Sequence, residues 1–453
     1  MTETVRWGFL GAGNIARIAL GPAVAAARNA RLQAVGARDE GRARQLADDF
    51  GDSVGSVSAY GSYAALLDDP DVDAVYISLS NDNHKPWVLA SLAAGKHVLC
   101  EKPLGMTAAE VEEMIAAATA ADRILMEAFW YRWHPRTQAA ELLVADGAIG
   151  TVTHVESVFA MNGVDPDNYR WQPARGGGGL YDVGCYPVST AVWAYGGEEP
   201  QSIDARVVDG PTGVDILTET NLTFSGDRTA RVASGMDEPH RQTIDITGTA
   251  GSISFGWPAF AATKEWPTEL TVVTADGEQR IDFPAADPYQ LMLEAMSDAI
   301  AGRSAWLLPL SQSLTIARVI DATFALGRAS TAGDGSPADL DSLVGDWLAL
   351  PDVGDALGIG LMKARQLVSD GQLIGVRRGD NNAVYVPAAF VSEGVILKHL
   401  TGTLNLLRDA GYRDDEAVRW LFTADDSLPG SPVQALQENR ATEVKRRAQA
   451  LGF

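Results

Sequence analysis

The segment "VRWGFLGAGNIAR", residues 5–17, limits the possible folds more than any other. A short apolar run ends in Gly11-x-Gly13-x-x-Ala16 and passes directly into a helical pattern. A strand-turn-helix of this kind needs glycine for the tight turn at Gly11. It needs glycine again at Gly13, so that backbone can approach a pyrophosphate, and a small residue at Ala16 for close packing of helix on strand. Asn14 and Ile15 then fall at the helix N-terminus, where free N–H groups and the helix dipole favour an anion. The pattern predicts a dinucleotide site at the start of a parallel α/β sheet.

The second strand pattern, "ARLQAVGARDE", bears on which dinucleotide. A site for NAD places a carboxylate at this strand's end to take both ribose hydroxyls. Here Ala37 leaves space and Arg38 offers a guanidinium able to grip a 2′-phosphate bidentately, which favours NADP. Asp39 keeps NAD open, although its position also suits a cap on the following helix.

A chain of 453 residues is too long for one core. The first 125 residues alternate short apolar runs with alanine-rich helical patterns, as in an α/β Rossmann domain with a doubly wound parallel sheet. From about Thr151 the pattern changes to longer alternating runs, among them "TVTHVESVFA" and "TIDITGTAGSISFGW", which read as a large, mostly antiparallel sheet in an α+β domain. Two helical stretches, 288–301 and 311–330, precede "TAGDGSPADLD", whose composition is that of a linker. The expected division is a nucleotide-binding domain over 1–126, a substrate and oligomerisation domain over 127–330, a linker over 331–341 and a separate domain over 342–453.

The net charge of −23 is unevenly spread. Residues 342–453 carry 12 Lys and Arg against 14 Asp and Glu, so nearly all of the excess lies in residues 1–341, a surface that repels nucleic acid. Cys100 and Cys185 are the only cysteines and the six histidines do not cluster, so neither a disulfide framework nor a metal is expected. The N-terminus runs straight into a strand pattern and no apolar run reaches membrane-spanning length. A soluble cytoplasmic protein is expected.

Two further stretches carry candidate chemistry. In "CEKPLGM" Lys102 stands at a strand's carboxyl end, where open α/β sheets bind ligands, and Pro103 restricts it to an extended backbone. In "GGGGLYDVGCYP", residues 176–187, Asp182 and Tyr186 are four apart and would share one face of a helix that opens after the glycines. The glycines would let backbone pass close to substrate.

The nucleotide turn, "EKP" and "YDVGCY" together resemble the Gfo/Idh/MocA family of oxidoreductases over about residues 4–330. In much of that family a histidine follows the aspartate by four residues. Tyr186 stands there instead, which is similar to the branch in which a tyrosine serves as acid/base. The resemblance implies a sugar, polyol or dihydrodiol substrate, hydride transfer at nicotinamide, and a homo-oligomer. It assigns Tyr186 the proton transfer, Lys102 the orientation of the substrate hydroxyl, and Asp182 a bond to substrate or to that pair. A phenol titrates near pH 10, and Lys102 close by would lower that value.

Ser80, Asn83 and His84, after the fourth strand, and Glu101 beside Lys102 are expected on the cofactor, with Asn83 and His84 capping a helix that faces nicotinamide. Trp130 and Arg132 in "EAFWYRWHP", and Arg170 and Trp171 in "NYRW", are expected to line or support the substrate site.

The tail reads differently. "LPDVGDALGIGLMKARQLVSDGQLIGVRRGDNNAVYV" is a helix-turn-helix followed by a hairpin or wing, with Ala364, Leu367 and Val368 facing inward. Lys363, Arg365 and Gln366 are left for a DNA groove, and Arg377 and Arg378 for phosphates. Residues 343–453 resemble an actinobacterial winged-helix DNA-binding family with a helical C-terminal part. Protein contact is the other use of such a module. For the whole chain, the alternative to an enzyme is a regulator that senses NADP(H) or sugar with vestigial catalysis.

Overall fold

The computed structural model describes residues 4–450 apart from Gly55, 262–263, Ser336, 379–382, Glu393, 410–411, Arg413, 426–427 and Pro429. Six short strands form the first sheet: β1 (Val5–Leu10), β2 (Ala30–Gly36), β3 (Ser58–Tyr60), β4 (Ala74–Ile77), β5 (His97–Cys100) and β6 (Leu125–Glu127). All pairs are parallel in the order β3-β2-β1-β4-β5-β6. Winding reverses between β1 and β4, so a crevice opens at the carboxyl ends of the strands. Trp7, Phe9 and Tyr76 are buried in this sheet, and the Trp7 indole donates to Ser297 Oγ at 3.1 Å, tying the sheet to the helix Pro288–Ile300.

The second sheet has eight strands: β7 (Val152–Ala160), β8 (Ser202–Asp209), β9 (Asp215–Phe224), β10 (Arg228–Gly235), β11 (Arg241–Gly248), β12 (Gly251–Phe255), β13 (Thr268–Thr274) and β14 (Gly277–Phe283). Their order is β14-β13-β12-β11-β7-β10-β9-β8, antiparallel throughout except where β10 pairs in parallel with β7. The helix Cys185–Ala194 is buried along its whole length and packs on β7 and β10, which explains its lack of a polar face. It is preceded by one π-helical turn, Leu180–Gly184, that carries Asp182. Asp182 and Tyr186 thus stand on consecutive turns over the interior strands β7 and β10, with Asp182 bonded to Lys102 just past β5 of the first sheet.

The chain falls into two compact units, Met1–Ala329 and Ser330–Phe453. The stretch expected as an open linker is helical instead: one helix runs Leu310–Gly335 and another Pro337–Val344. Pro337 is tolerated because it stands at the first position of its helix, where its missing N–H costs nothing. In the second unit β15 (Trp347–Ala349), β16 (Val376–Arg378) and β17 (Ala383–Pro387) form an antiparallel sheet in the order β15-β17-β16. The helices Leu350–Leu357 and Leu361–Ser369 are joined by Gly358, whose left-handed backbone (φ 66°) ends the first of them. This is a winged helix-turn-helix, and among the described residues four further helices between Leu400 and Ala450 close its own apolar core around Phe390, Leu404 and Val444. No helix among the described residues is long and apolar enough to cross a membrane.

Candidate active site

A cleft of about 1050 Å³ lies at the carboxyl ends of the first sheet. At one end Gly11 has φ 113°, and a Cβ there would come within 2.9 Å of the Ser78 carbonyl, so the turn requires glycine. Gly13, Asn14 and Ile15 line the cleft after it, while Ala16 is fully buried. Arg38 is exposed in the same wall. Asp39 Oδ1 accepts the Arg42 backbone N–H at 2.8 Å, capping the helix, and Asp39 also lines the cleft. Arg42 also faces the cleft and donates to the Ala12 carbonyl at 3.3 Å. Nothing in the sequence separates Arg42 from an ordinary solvated helix residue. Two guanidinium groups beside a glycine turn at a helix N-terminus fit the 2′-phosphate and pyrophosphate of NADP.

At the other end Lys102 and Asp182 meet. Lys102 Nζ donates to the Asp182 carbonyl at 2.5 Å and lies 3.3 Å from Asp182 Oδ1, while Arg170 Nε is 2.6 Å from Asp182 Oδ2. Burial works against charge on all three. The mutual pairing prevails: it holds Lys102 and Arg170 above, and Asp182 below, their usual ranges. Glu101 is buried beneath them, accepting from the Tyr76 hydroxyl at 2.6 Å and the Lys102 N–H at 3.2 Å, and burial raises its carboxyl.

Tyr186 is buried in the same wall. The expected lowering of its phenol by Lys102 is not found. Burial pushes Tyr186 well above 10, with Tyr289, Cys185 and Glu101 adding to the rise; Lys102 is bonded to Asp182 and stands 5.1 Å from the ring centre. Trp130 opposes the rise, donating its indole N–H to Tyr186 Oη at 2.8 Å. Trp130 stacks in turn on Tyr289, ring centres 4.9 Å apart. Phe159, Tyr169 and Tyr289 line this half of the cleft and were not singled out from sequence, since Phe159 lies in an ordinary alternating strand pattern and nothing local marks the two tyrosines.

The glycines serve a purpose other than the expected one. A Cβ on Gly177 would stand 2.4 Å from the Arg170 carbonyl, and one on Gly178 (φ 119°) 2.0 Å from Asp215 Oδ1. They make room for protein, not substrate. Asp215, fully buried, accepts the Leu180 N–H at 2.6 Å through Oδ2 and so anchors the turn that carries Asp182. Asn81 holds the stretch from the other side, its amide donating to the Gly176 carbonyl at 2.7 Å.

Several candidates lie elsewhere. His84 is fully buried, with its ring nitrogens 2.8 Å from the Pro103 carbonyl and 3.2 Å from the Leu79 carbonyl, so it braces the "EKP" turn and does not line the cleft. Asn83 begins its helix without a side-chain cap and donates instead to Ser80 Oγ at 3.1 Å; both residues line the cleft. Arg132 is 1% exposed, bonded to Glu141 at 2.5 Å and Gln312 at 3.1 Å between the rings of Trp193 and Trp306. It is a core strut because two acceptors and two aromatic faces satisfy a charge that could not otherwise be buried. Trp171 does not line the cleft and donates to the Val164 carbonyl at 3.4 Å, bracing the loop behind Arg170.

In the second unit Lys363, Arg365 and Gln366 are exposed on the helix Leu361–Ser369, whereas Ala364 and Leu367 are buried and Val368 half-buried. Arg378 is not free for a phosphate. It pairs with Asp341 and lies over Trp347, 4.1 Å from the ring centre, with Tyr385 beyond. The Arg377 side chain lies outside what the structure describes.

Residues 5–129 match the oxidoreductase family with NAD-binding Rossmann fold, and residues 137–254 the GFO/IDH/MocA C-terminal domain. The chain is 36% identical over 337 residues to a D-xylose 1-dehydrogenase (NADP(+)) of Haloferax volcanii, covering 74% of this chain and 99% of that one. The chain belongs to the Gfo/Idh/MocA oxidoreductase family. This Gfo/Idh/MocA chain is also 38% identical over 257 residues to a rabbit trans-1,2-dihydrobenzene-1,2-diol dehydrogenase, covering 56% and 74% of the two chains. Among solved structures it resembles the NADP-bound 3-ketoreductase KijD10 of Actinomadura kijaniata, with 26% identity, TM-score 0.65 and coverage of 71% and 98%. An aldose-aldose oxidoreductase of Caulobacter crescentus gives 27%, TM-score 0.64, 72% and 98%. Beyond the Gfo/Idh/MocA portion, residues 336–391 match the DNA-binding protein Rv2175c, wHTH domain, and residues 397–452 the Rv2175c C-terminal domain of unknown function.

Proposed function

We propose that the protein is an NADP-dependent oxidoreductase that moves hydride between nicotinamide and the hydroxyl-bearing carbon of a sugar, polyol or dihydrodiol. The observation that carries this reading is the meeting of Lys102, Asp182 and Tyr186 in one wall of the cleft whose far end holds the glycine turn, Arg38 and Arg42. Bound NADPH supplies the hydride. Tyr186, kept protonated by burial, gives its phenol proton to the carbonyl oxygen, and Lys102, kept charged by Asp182, stabilises the negative charge growing there. Alcohol oxidation runs the same groups backwards, with Tyr186 as base. Sugar and diol dehydrogenases among the relatives support the substrate class.

The test is turnover, followed by nicotinamide absorbance, with NADP and NAD in parallel across aldoses, polyols and a trans-dihydrodiol. Turnover faster with NADP supports the reading. NADP binding without turnover on any of them would sink it and favour a sensor.

We assign residues 1–126 to cofactor and 127–330 to substrate and self-association, in a cytoplasmic homo-oligomer. For residues 342–453 we propose DNA contact through Lys363, Arg365 and Gln366, supported by their exposure on the second helix of the helix-turn-helix. DNA affinity of the full chain that does not fall with added salt would contradict it.

A further inference from the structure

Tyr186 Oη has a donor on one side and, among the described residues, no partner on the other. A phenol oxygen holds its own proton in the ring plane and accepts most readily from the remaining in-plane direction. The Trp130 indole, which can only donate, fills that accepting position at 2.8 Å. Among the described residues no side chain or carbonyl accepts the Tyr186 proton. The indole is fixed by its stack on Tyr289, 20° from parallel, and both rings line the cleft. The phenol is wedged by edge or tilted contacts from Phe129, Tyr131, Phe159 and Phe260, each 5.3–6.3 Å from a neighbouring ring in the cluster. With rotation of the hydroxyl restricted by a donor-only neighbour, the proton has the cleft as its remaining direction.

We propose that Trp130 is a positioning residue, which aims the Tyr186 proton at the substrate oxygen and steadies the phenolate left after transfer. The inference rests on the oxidoreductase reading. In reduction the phenol O–H bond breaks and an O–H bond forms on the substrate, while hydride from NADPH reaches the carbonyl carbon and NADPH becomes NADP⁺. Trp130 gains nothing and loses nothing. It contributes only because an N–H bond to phenolate is stronger than one to phenol.

Trp130→Phe removes the donor and keeps a ring to stack on Tyr289. Expected is a kcat loss of about tenfold or more with KM for the carbonyl within about twofold, the size of one charge-assisted bond. In a Tyr186→Phe background the same change should cost nothing further, because the partner is gone. An equal loss in both backgrounds, or a loss confined to KM, overturns the proposal. A second readout needs no substrate. Fluorotyrosine placed at position 186, acidic enough to titrate within the stable range of the fold, is followed by fluorine NMR. Trp130→Phe should move its ionisation to higher pH by about one unit, and an unmoved ionisation overturns the proposal even if no turnover is ever found.

Discussion

Lys102 donates to Asp182 through both the backbone carbonyl and the carboxylate, so one residue sets the position and the charge of the other. Asp182→Asn keeps the carbonyl and removes the charge, leaving the ammonium and the Arg170 guanidinium unpaired in a buried site. Lys102 should then titrate lower, and kcat should fall by about tenfold to a hundredfold. A variant of full activity, shown by circular dichroism to be folded, would refute the pairing as the support of Lys102.

Tyr186→Phe removes the proton donor without altering the aromatic cluster. The expected loss in kcat is about 10²–10⁴, with NADP binding unchanged. Steady-state kinetics in both directions checks this; a loss of less than about tenfold would mean that water or another group carries the proton.

Arg38→Ala and Arg42→Ala should each weaken NADP(H) binding by about tenfold or more and leave NAD(H) nearly untouched, since each removes a charge-assisted contact that only the 2′-phosphate can use. Cofactor fluorescence titration reads both affinities. Parallel losses for the two cofactors would place the guanidiniums elsewhere.

Burial raises the Asp215 carboxyl from 3.8 to about 6. A raised acid in the fold means that the native state binds its proton more tightly than the unfolded chain. This residue therefore favours folding most below about pH 4, and the advantage, about 3 kcal/mol, is lost as pH rises through about 6. Asp215→Asn should flatten that part of the stability profile while its carbonyl oxygen still accepts the Leu180 N–H. Denaturant unfolding of both proteins between pH 4 and 7 compares the slopes; identical slopes would contradict the burial of an ionisable group there.

In the tail, Arg378→Ala removes an ion pair and the cation lying on Trp347. Strands β15–β17 should lose about 1–2 kcal/mol of protection, with β1 unaffected. Amide hydrogen exchange on the full chain resolves the two, and unchanged exchange in β17 would return Arg378 to the list of groups free to meet phosphate.

What was legible in the sequence was local. The turn at Gly11 and Gly13, the alternation of strands and helices, and the spacing of Asp182 and Tyr186 depend on neighbours within a few residues, so pattern alone places them. What escaped depended on partners far along the chain. Arg132 looks like a substrate ligand until Gln312 and Trp306 arrive to bury it. His84 looks like a cofactor cap until the Pro103 carbonyl takes its ring. The stretch 331–341 has a loop's composition, yet the residues on both sides of Ser336 extend helices. The Tyr186 phenol is raised where the sequence suggested lowering, because burial dominates its environment.

Gly178 and Asp215 are 37 positions apart, and a methyl group on the first would occupy the space of a carboxylate oxygen on the second. Neither can change in size alone. A side chain at 178 requires a shorter residue at 215, and a shorter residue there releases the N–H of Leu180 and the turn that aims Asp182. Among descendants of this sequence a side chain at 178 should appear only beside a shorter residue at 215, and random mutagenesis selected for activity should recover neither a side chain at 178 nor a shortened residue at 215 by itself.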